Sequence, residues 1–192
     1  MASRADARLR ASEQAGAIVL VTALTAIAAQ VSIPLPFTPV PFTFQPMIVL
    51  VGAMVLGSRF GPASQMLYLA LGIAGVPLFA ASPLLPQGAA RLIGPTGGYL
   101  MSYPLAAFVT GSLAERGFDR RYLTSIAAMA CGLVVIYAGG VAWLTIGSQP
   151  ARGISAALAA GVVPFILPDL FKLFVAAAVM PGLWKLTGQI AR

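Results

Sequence analysis

The chain has 192 residues, of which 59% are hydrophobic and only 9% charged, and it carries a net charge of +7. Soluble domains carry roughly 25% charged residues, so water is not the main solvent of this chain; apolar runs of about 20 residues would use most of it as membrane spans, leaving no room for a separate soluble catalytic domain. The Lys and Arg residues are scattered over helix ends and form no dense stripe with interleaved aromatics, which argues against nucleic acid. The sequence has no His, which removes His-based catalysis, His metal ligands and histidine pH switching. The single Cys131 can form neither an internal disulfide nor a multi-cysteine metal site and reads as a buried small hydrophobe.

In chain order, the polar residues 1–14 carry Arg4, Arg8 and Arg10. The apolar run behind them is longer than the about 7–15 residues of a signal-peptide core. It therefore reads as a first span, about 15–33, with a basic cytoplasmic flank. Within it Thr22 and Ala26, and likewise Thr25 and Ala29, have the small-xxx-small spacing that permits close helix approach. That face can dock a partner chain or pack on the third span.

The next stretch, 34–45, holds Pro34, Pro36, Pro39 and Pro41 without a charge, a stiff external loop that can be a lid, a pocket wall or a plain connector. It ends in Pro41-Phe42-Thr43-Phe44-Gln45. Thr43 and Gln45 can hydrogen-bond a ligand and Phe42 and Phe44 can cover an apolar one, or the segment is a helix cap with an interfacial aromatic anchor. A second span, about 46–56, covers only about half of a roughly 30 Å hydrocarbon core, so its flanking backbone must pack against protein. A third span is expected at about 63–79.

The loop at 80–97 leads into Arg91-Leu92-Ile93-Gly94-Pro95-Thr96-Gly97-Gly98-Tyr99. Gly97 and Gly98 permit backbone close to a ligand, Arg91 offers a planar fork for a carboxylate, and Tyr99 an apolar ring with a polar tip. No Lys-Ser or Lys-Thr follows the glycines, so this is not a nucleotide-binding P-loop, and any ATP hydrolysis belongs to another chain. Spans four and five are expected at about 98–113 and 122–146. Tyr137, Gly139 and Gly140 in the fifth read as core packing ahead of cavity lining.

The sixth span, about 155–185, is interrupted by Pro164 and Pro168 and holds Asp169 and Lys172. Each ionisable group costs about 2.5–3.5 kcal/mol within a span and usually faces a cavity or a partner. Three residues apart, the two share a helix face, where their charges offset each other while leaving donors and acceptors free for a ligand. An ion pair that only fixes helix packing is the alternative. With the N-terminus inside, Arg4, Arg8, Arg10, Arg59, Arg116, Arg120, Arg121, Lys185 and Arg192 fall on the cytoplasmic side, and Arg91 and Arg152 outside. The expected architecture is a single all-α integral membrane domain, 1–192, of six spans with both termini cytoplasmic. The two halves do not look alike, so no inverted repeat is expected.

The segments Ile33 to Gln45, Gly94 to Tyr99 and Leu167-Pro168-Asp169-Leu170-Phe171-Lys172, in this order and in a chain of this length, resemble the BioY family, the biotin-specific substrate-binding S components of energy-coupling-factor (ECF) transporters. The resemblance implies a bundle of six helices in the bacterial cytoplasmic membrane whose external loops close over one biotin, with Asp169 and Lys172 at the site and no cofactor. It also implies a separate transmembrane coupling protein and a pair of ATPases as partners, the small-residue face of span one as the docking surface, and leaves open a homo-oligomer. Biotin has a flat ureido group, an apolar bicycle and a carboxylate tail. Asp169 can accept from ureido N–H groups, Lys172 can donate to the ureido oxygen, and Arg91 can take the carboxylate; the reverse, with Lys172 on the carboxylate, stays open. Tyr99, Phe42 and Phe44 would cover the rings, with Gln45 as a further partner. The rival readings are an S component for another vitamin and an intramembrane enzyme using Asp169 and Lys172 as an acid/base pair, which lacks an obvious nucleophile or metal site.

Overall fold

The computed structural model describes residues 4–81, 86–147, 151 and 153–187. Its regular structure, among these residues, is helical apart from one ladder of two two-residue strands. Helix α1 (Arg4–Gln30) is followed by strands β1 (Ser32–Ile33) and β2 (Phe42–Thr43), α2 (Gln45–Ile73), the single turn α3 (Ala90–Ile93), α4 (Gly97–Glu115), a 3-10 turn at 118–120, α5 (Tyr122–Ile146), α6 (Ile154–Gly161), a second 3-10 turn at 163–165 and α7 (Ile166–Thr187). Among the described residues, four helical stretches, Arg10–Gln30, Gln45–Ile73, Tyr122–Ile146 and Ile154–Met180, are long and apolar enough to cross a bilayer. Val19, Leu20, Ile27, Leu105, Val134, Ile146, Leu167 and Phe171 point outward, while Arg91, Asp169, Lys172 and Gln65 are buried. Apolar outside and polar inside is the arrangement a lipid solvent imposes.

Helix α2 doubles back on itself. Gln45 donates to the Tyr68 hydroxyl at 2.6 Å, although a straight helix would hold these residues about 34 Å apart. The reversal is at Gly57, whose φ of 75° and ψ of −174° suit only glycine. The second arm begins at Ser58, whose backbone N–H donates to Glu115 Oε1 at 2.7 Å and whose hydroxyl reaches both carboxylate oxygens, so Glu115 from α4 caps this helix start. The expected second span, 46–56, is the first arm. The expected third span, 63–79, differs more: helix begins directly after Gly57 and ends at Ile73, ahead of Gly75 at φ 97°, and Phe79 lies in the following loop, edge-on to Tyr68 at 5.6 Å.

Other boundaries also differ from expectation. Helix α1 runs back to Arg4 because residues 4–14 are mostly good helix formers, polar or not. The expected sixth span, 155–185, is two helices. Pro164 has no N–H to offer the Ala160 or Gly161 carbonyl, and these are taken up elsewhere: Thr38 Oγ1 donates to Ala160 O at 2.7 Å and the Tyr99 hydroxyl to Gly161 O at 2.7 Å. Pro168 causes no break, because it sits in the first turn of α7, where N–H groups lack helical partners anyway. Cys131 is exposed on α5, not buried; an apolar thiol facing outward suits a lipid-facing surface as well as a core.

The face expected to dock a partner is turned inward. Thr22, Thr25, Ala26 and Ala29 are all buried, and Thr22 Oγ1 donates to Ser64 O of α2 at 2.9 Å while Gln65 Nε2 reaches Thr25 Oγ1 at 3.4 Å. Within this chain the small residues serve the packing of α1 on its own α2. In the centre of the bundle α4 packs between α2 and α5. The β1–β2 ladder pairs Ser32 with Thr43 and Ile33 with Phe42, pinning both ends of the proline-rich loop.

Candidate ligand-binding site

The first turns of α7 place Asp169 and Lys172 on one face, with Lys172 Nζ 2.7 Å from Asp169 Oδ1. The second carboxylate oxygen, Oδ2, accepts the Tyr137 hydroxyl of α5 at 2.7 Å. Lys172 Nζ also donates to the Thr43 carbonyl at 2.7 Å and lies 3.7 Å from the Phe42 ring centroid and 5.3 Å from that of Phe44. Both ionised groups are about 95% removed from solvent, at 5% and 4% exposure. A buried pair survives when hydrogen bonds satisfy the rest of its valences, and here a tyrosine, a carbonyl and two ring faces do so. The aromatic pair itself packs edge to face at 5.6 Å.

These groups line one side of a cavity whose other walls are Val40 and Pro41 of the proline loop, Thr43 and Gln45, Arg91 and Thr96, and Tyr99 and Tyr103 of α4. Ile136, Tyr137 and Phe165 close it on the α5 and α7 side. Gln45 is fixed by Tyr68, whose own hydroxyl donates to Leu78 O at 3.0 Å. Arg91 is 1% exposed and donates to the carbonyls of Ala80 and Pro86. Burial lowers its pKa from the ordinary value, but a guanidinium stays charged at any physiological pH. No carboxylate meets Arg91 among the described residues.

Of the residues expected at a site, Thr43, Gln45, Arg91, Tyr99, Asp169 and Lys172 come together around this cavity. Phe42 and Phe44 do not line it; they lie against the Lys172 ammonium and shield it. Gly97 and Gly98 do not line it either. A Cβ on Gly97 would overlap the Leu92 carbonyl, and one on Gly98 the Trp143 side chain and the Gly139 carbonyl, so these glycines let α4 approach α5 and the α3 turn, and Trp143 Nε1 donates to Gly94 O at 2.9 Å. Tyr137 belongs to the site and not merely to the core. The available signal was a phenol in the most apolar helix, since a buried Tyr hydroxyl needs a partner. Thr96 and Tyr103 also line the cavity, and no spacing in the sequence marks them.

Fold and site together define a multi-pass helical membrane protein with a small-molecule cavity beneath its connecting loops. The chain belongs to the BioY family, which it matches over residues 2–189. It is 42% identical over 165 residues to the biotin transporter BioY of Thermotoga maritima, covering 86% of this chain and 92% of that protein. It is 35% identical over 161 residues to the biotin transporter BioY of Rhizobium etli, covering 78% and 83%. The crystal structure of the S-component for biotin from an ECF-type ABC transporter superposes with a TM-score of 0.82 over 96% of this chain and 95% of that one, at 23% identity, which speaks for the fold.

Proposed function

We propose that this chain captures biotin as the membrane-embedded S component of an ECF transporter and does no chemistry on it. The observation that carries the reading is the charge around the cavity. Asp169 and Lys172 cancel each other, and Arg91 stands buried with carbonyls as its hydrogen-bond partners among the described residues, so the walls carry one net positive charge. A polar head for the neutral pair and one carboxylate for the guanidinium complete that wall, and biotin has both. Asp169, already accepting from Tyr137 and Lys172, keeps lone pairs for ureido N–H groups, and Lys172 has a third donor for the ureido oxygen. Tyr99, Ile136 and Phe165 cover the bicycle, and Gln45 adds a polar contact. Membership of a family whose relatives are named biotin transporters supports the same choice.

The whole chain acts as one membrane domain in a bacterial cytoplasmic membrane. It crosses six times, through α1, the two arms of α2, α4, α5 and the α6–α7 pair, with both termini inside. Arg59, Arg116, Arg120 and Arg121 flank the Gly57 reversal and the α4–α5 turn, at the end of the bundle away from the cavity, as the positive-inside bias requires. Energy comes from a transmembrane coupling protein and two ATPase subunits. The deciding experiment is binding of radiolabelled biotin to the purified protein, together with mass spectrometry of whatever it retains. Saturable biotin binding is expected; a different vitamin retained, with biotin unable to displace it, would overturn the assignment.

A further inference from the structure

Thr96 is the N-cap residue of α4, yet its side chain makes no capping hydrogen bond. Thr at this position normally accepts from an N–H of the first turn. Here Oγ1 is buried, the residue is 7% exposed, and the oxygen finds no hydrogen-bond partner among the described residues. The same residue lines the cavity. A buried hydroxyl left unpaired is costly, and native structures avoid it unless something else supplies the partner. The turn that carries Thr96 also carries Arg91: Gly94 N donates to Arg91 O at 3.2 Å and Gly97 N to Gly94 O at 3.0 Å, folding the two cavity-lining residues onto one short segment.

We infer that Thr96 donates its hydroxyl to the carboxylate of the bound ligand, forming with Arg91 the anion-binding end of the cavity. The two features are of different kinds, a neutral donor and a fixed cation, and both line the same cavity. The pair Asp169 and Lys172, held by Tyr137 and Thr43, is left for the uncharged polar ring. This orientation rests on the biotin reading above.

The test compares wild type with T96V, which keeps the shape and removes the hydroxyl, and T96S, which keeps the hydroxyl. Affinity is measured by displacement of radiolabelled biotin with unlabelled biotin and with biotinol, in which a primary alcohol replaces the carboxylate. T96V is expected to weaken biotin about tenfold or more, T96S to stay within about threefold of wild type, and the T96V penalty to shrink for biotinol because a charge-assisted bond is no longer at stake. If biotinol competes with neither protein, the ratio of T96V to T96S for biotin decides. If T96V does not purify, T96A carries the same comparison. Equal biotin affinity for the hydroxyl-free and hydroxyl-bearing variants would overturn the role of Thr96, as would an equal penalty on both ligands. A wild-type protein that binds no biotin would instead remove the reading on which the inference stands.

Discussion

Thr22, Thr25, Ser64 and Gln65, between α1 and α2, are as deeply buried as Asp169 and Lys172, yet the two clusters satisfy themselves in different ways. In the first, the groups are neutral and the hydroxyls turn back onto nearby protein, Thr22 Oγ1 to Ile18 O and Ser64 O, Thr25 Oγ1 to Val21 O, and Ser64 Oγ to Gly61 O, while Gln65 Nε2 reaches Thr25 Oγ1 and Ser64 Oγ and only its Oε1 lacks a partner among the described residues. A short hydroxyl can always share the carbonyl four residues earlier, so it costs little inside a helix pair. In the second, formal charges are held by groups from three separate parts of the chain, at Thr43, Tyr137 and α7 itself, and they face a cavity. Buried polarity alone therefore does not mark a site in a membrane protein. Charge that cannot be satisfied locally, beside space, does.

That contrast can be broken most directly at Asp169. Asp169→Asn leaves the Lys172 ammonium buried without its counter-ion, which costs about 3–5 kcal/mol of fold stability, and takes the charged acceptor from the ureido N–H groups, so biotin affinity of the purified protein should fall about a hundredfold; radiolabelled binding at wild-type strength would erase the distinction. Arg91→Gln removes the uncompensated cation and should weaken biotin by about ten- to a hundredfold, read by isothermal calorimetry. Tyr137→Phe deletes one bond to a carboxylate, which is worth about 1.5–3 kcal/mol; roughly a tenfold loss in the same titration is expected, and no change would return Tyr137 to the packing core. The smallest effect on binding belongs to the other cluster. Thr22→Val should lower thermal stability by about 1 kcal/mol, seen as a melting shift of a few degrees in detergent, and leave the biotin dissociation constant untouched. A changed dissociation constant there would mean that the two clusters are coupled.

The parts visible in the sequence were those where charge or proline interrupts apolar residues. Asp169 and Lys172 sit in a run with no other ionisable group, and α5 is bounded by Arg121 and Gly147, so its limits of Tyr122 and Ile146 could be read directly. The BioY resemblance rested on three short segments, and the match now spans residues 2–189. What periodicity could not supply was direction. Thr22, Thr25, Ala26 and Ala29 form a stripe fit for close packing, but the stripe does not say whether the neighbour is another chain or α2, and it is α2. Gly97 and Gly98 predict a close backbone approach, expected to be to a ligand; in the structure it is to Trp143, Gly139 and the α3 turn. Tyr137 stands 32 residues from Asp169, beyond any local pattern.

The bond from Thr38 to the Ala160 carbonyl, left free by Pro164, gives the proline-rich loop a hold on the helix break 122 residues away. An ordinary helix would compete for that carbonyl each time the loop lifted, and healing the helix would make release easy. Pro164 removes the i+4 competitor covalently, so the Ala160 carbonyl stays open to Thr38. The proline-rich loop is thus tied to the α6 end by an acceptor that one residue without an N–H leaves available.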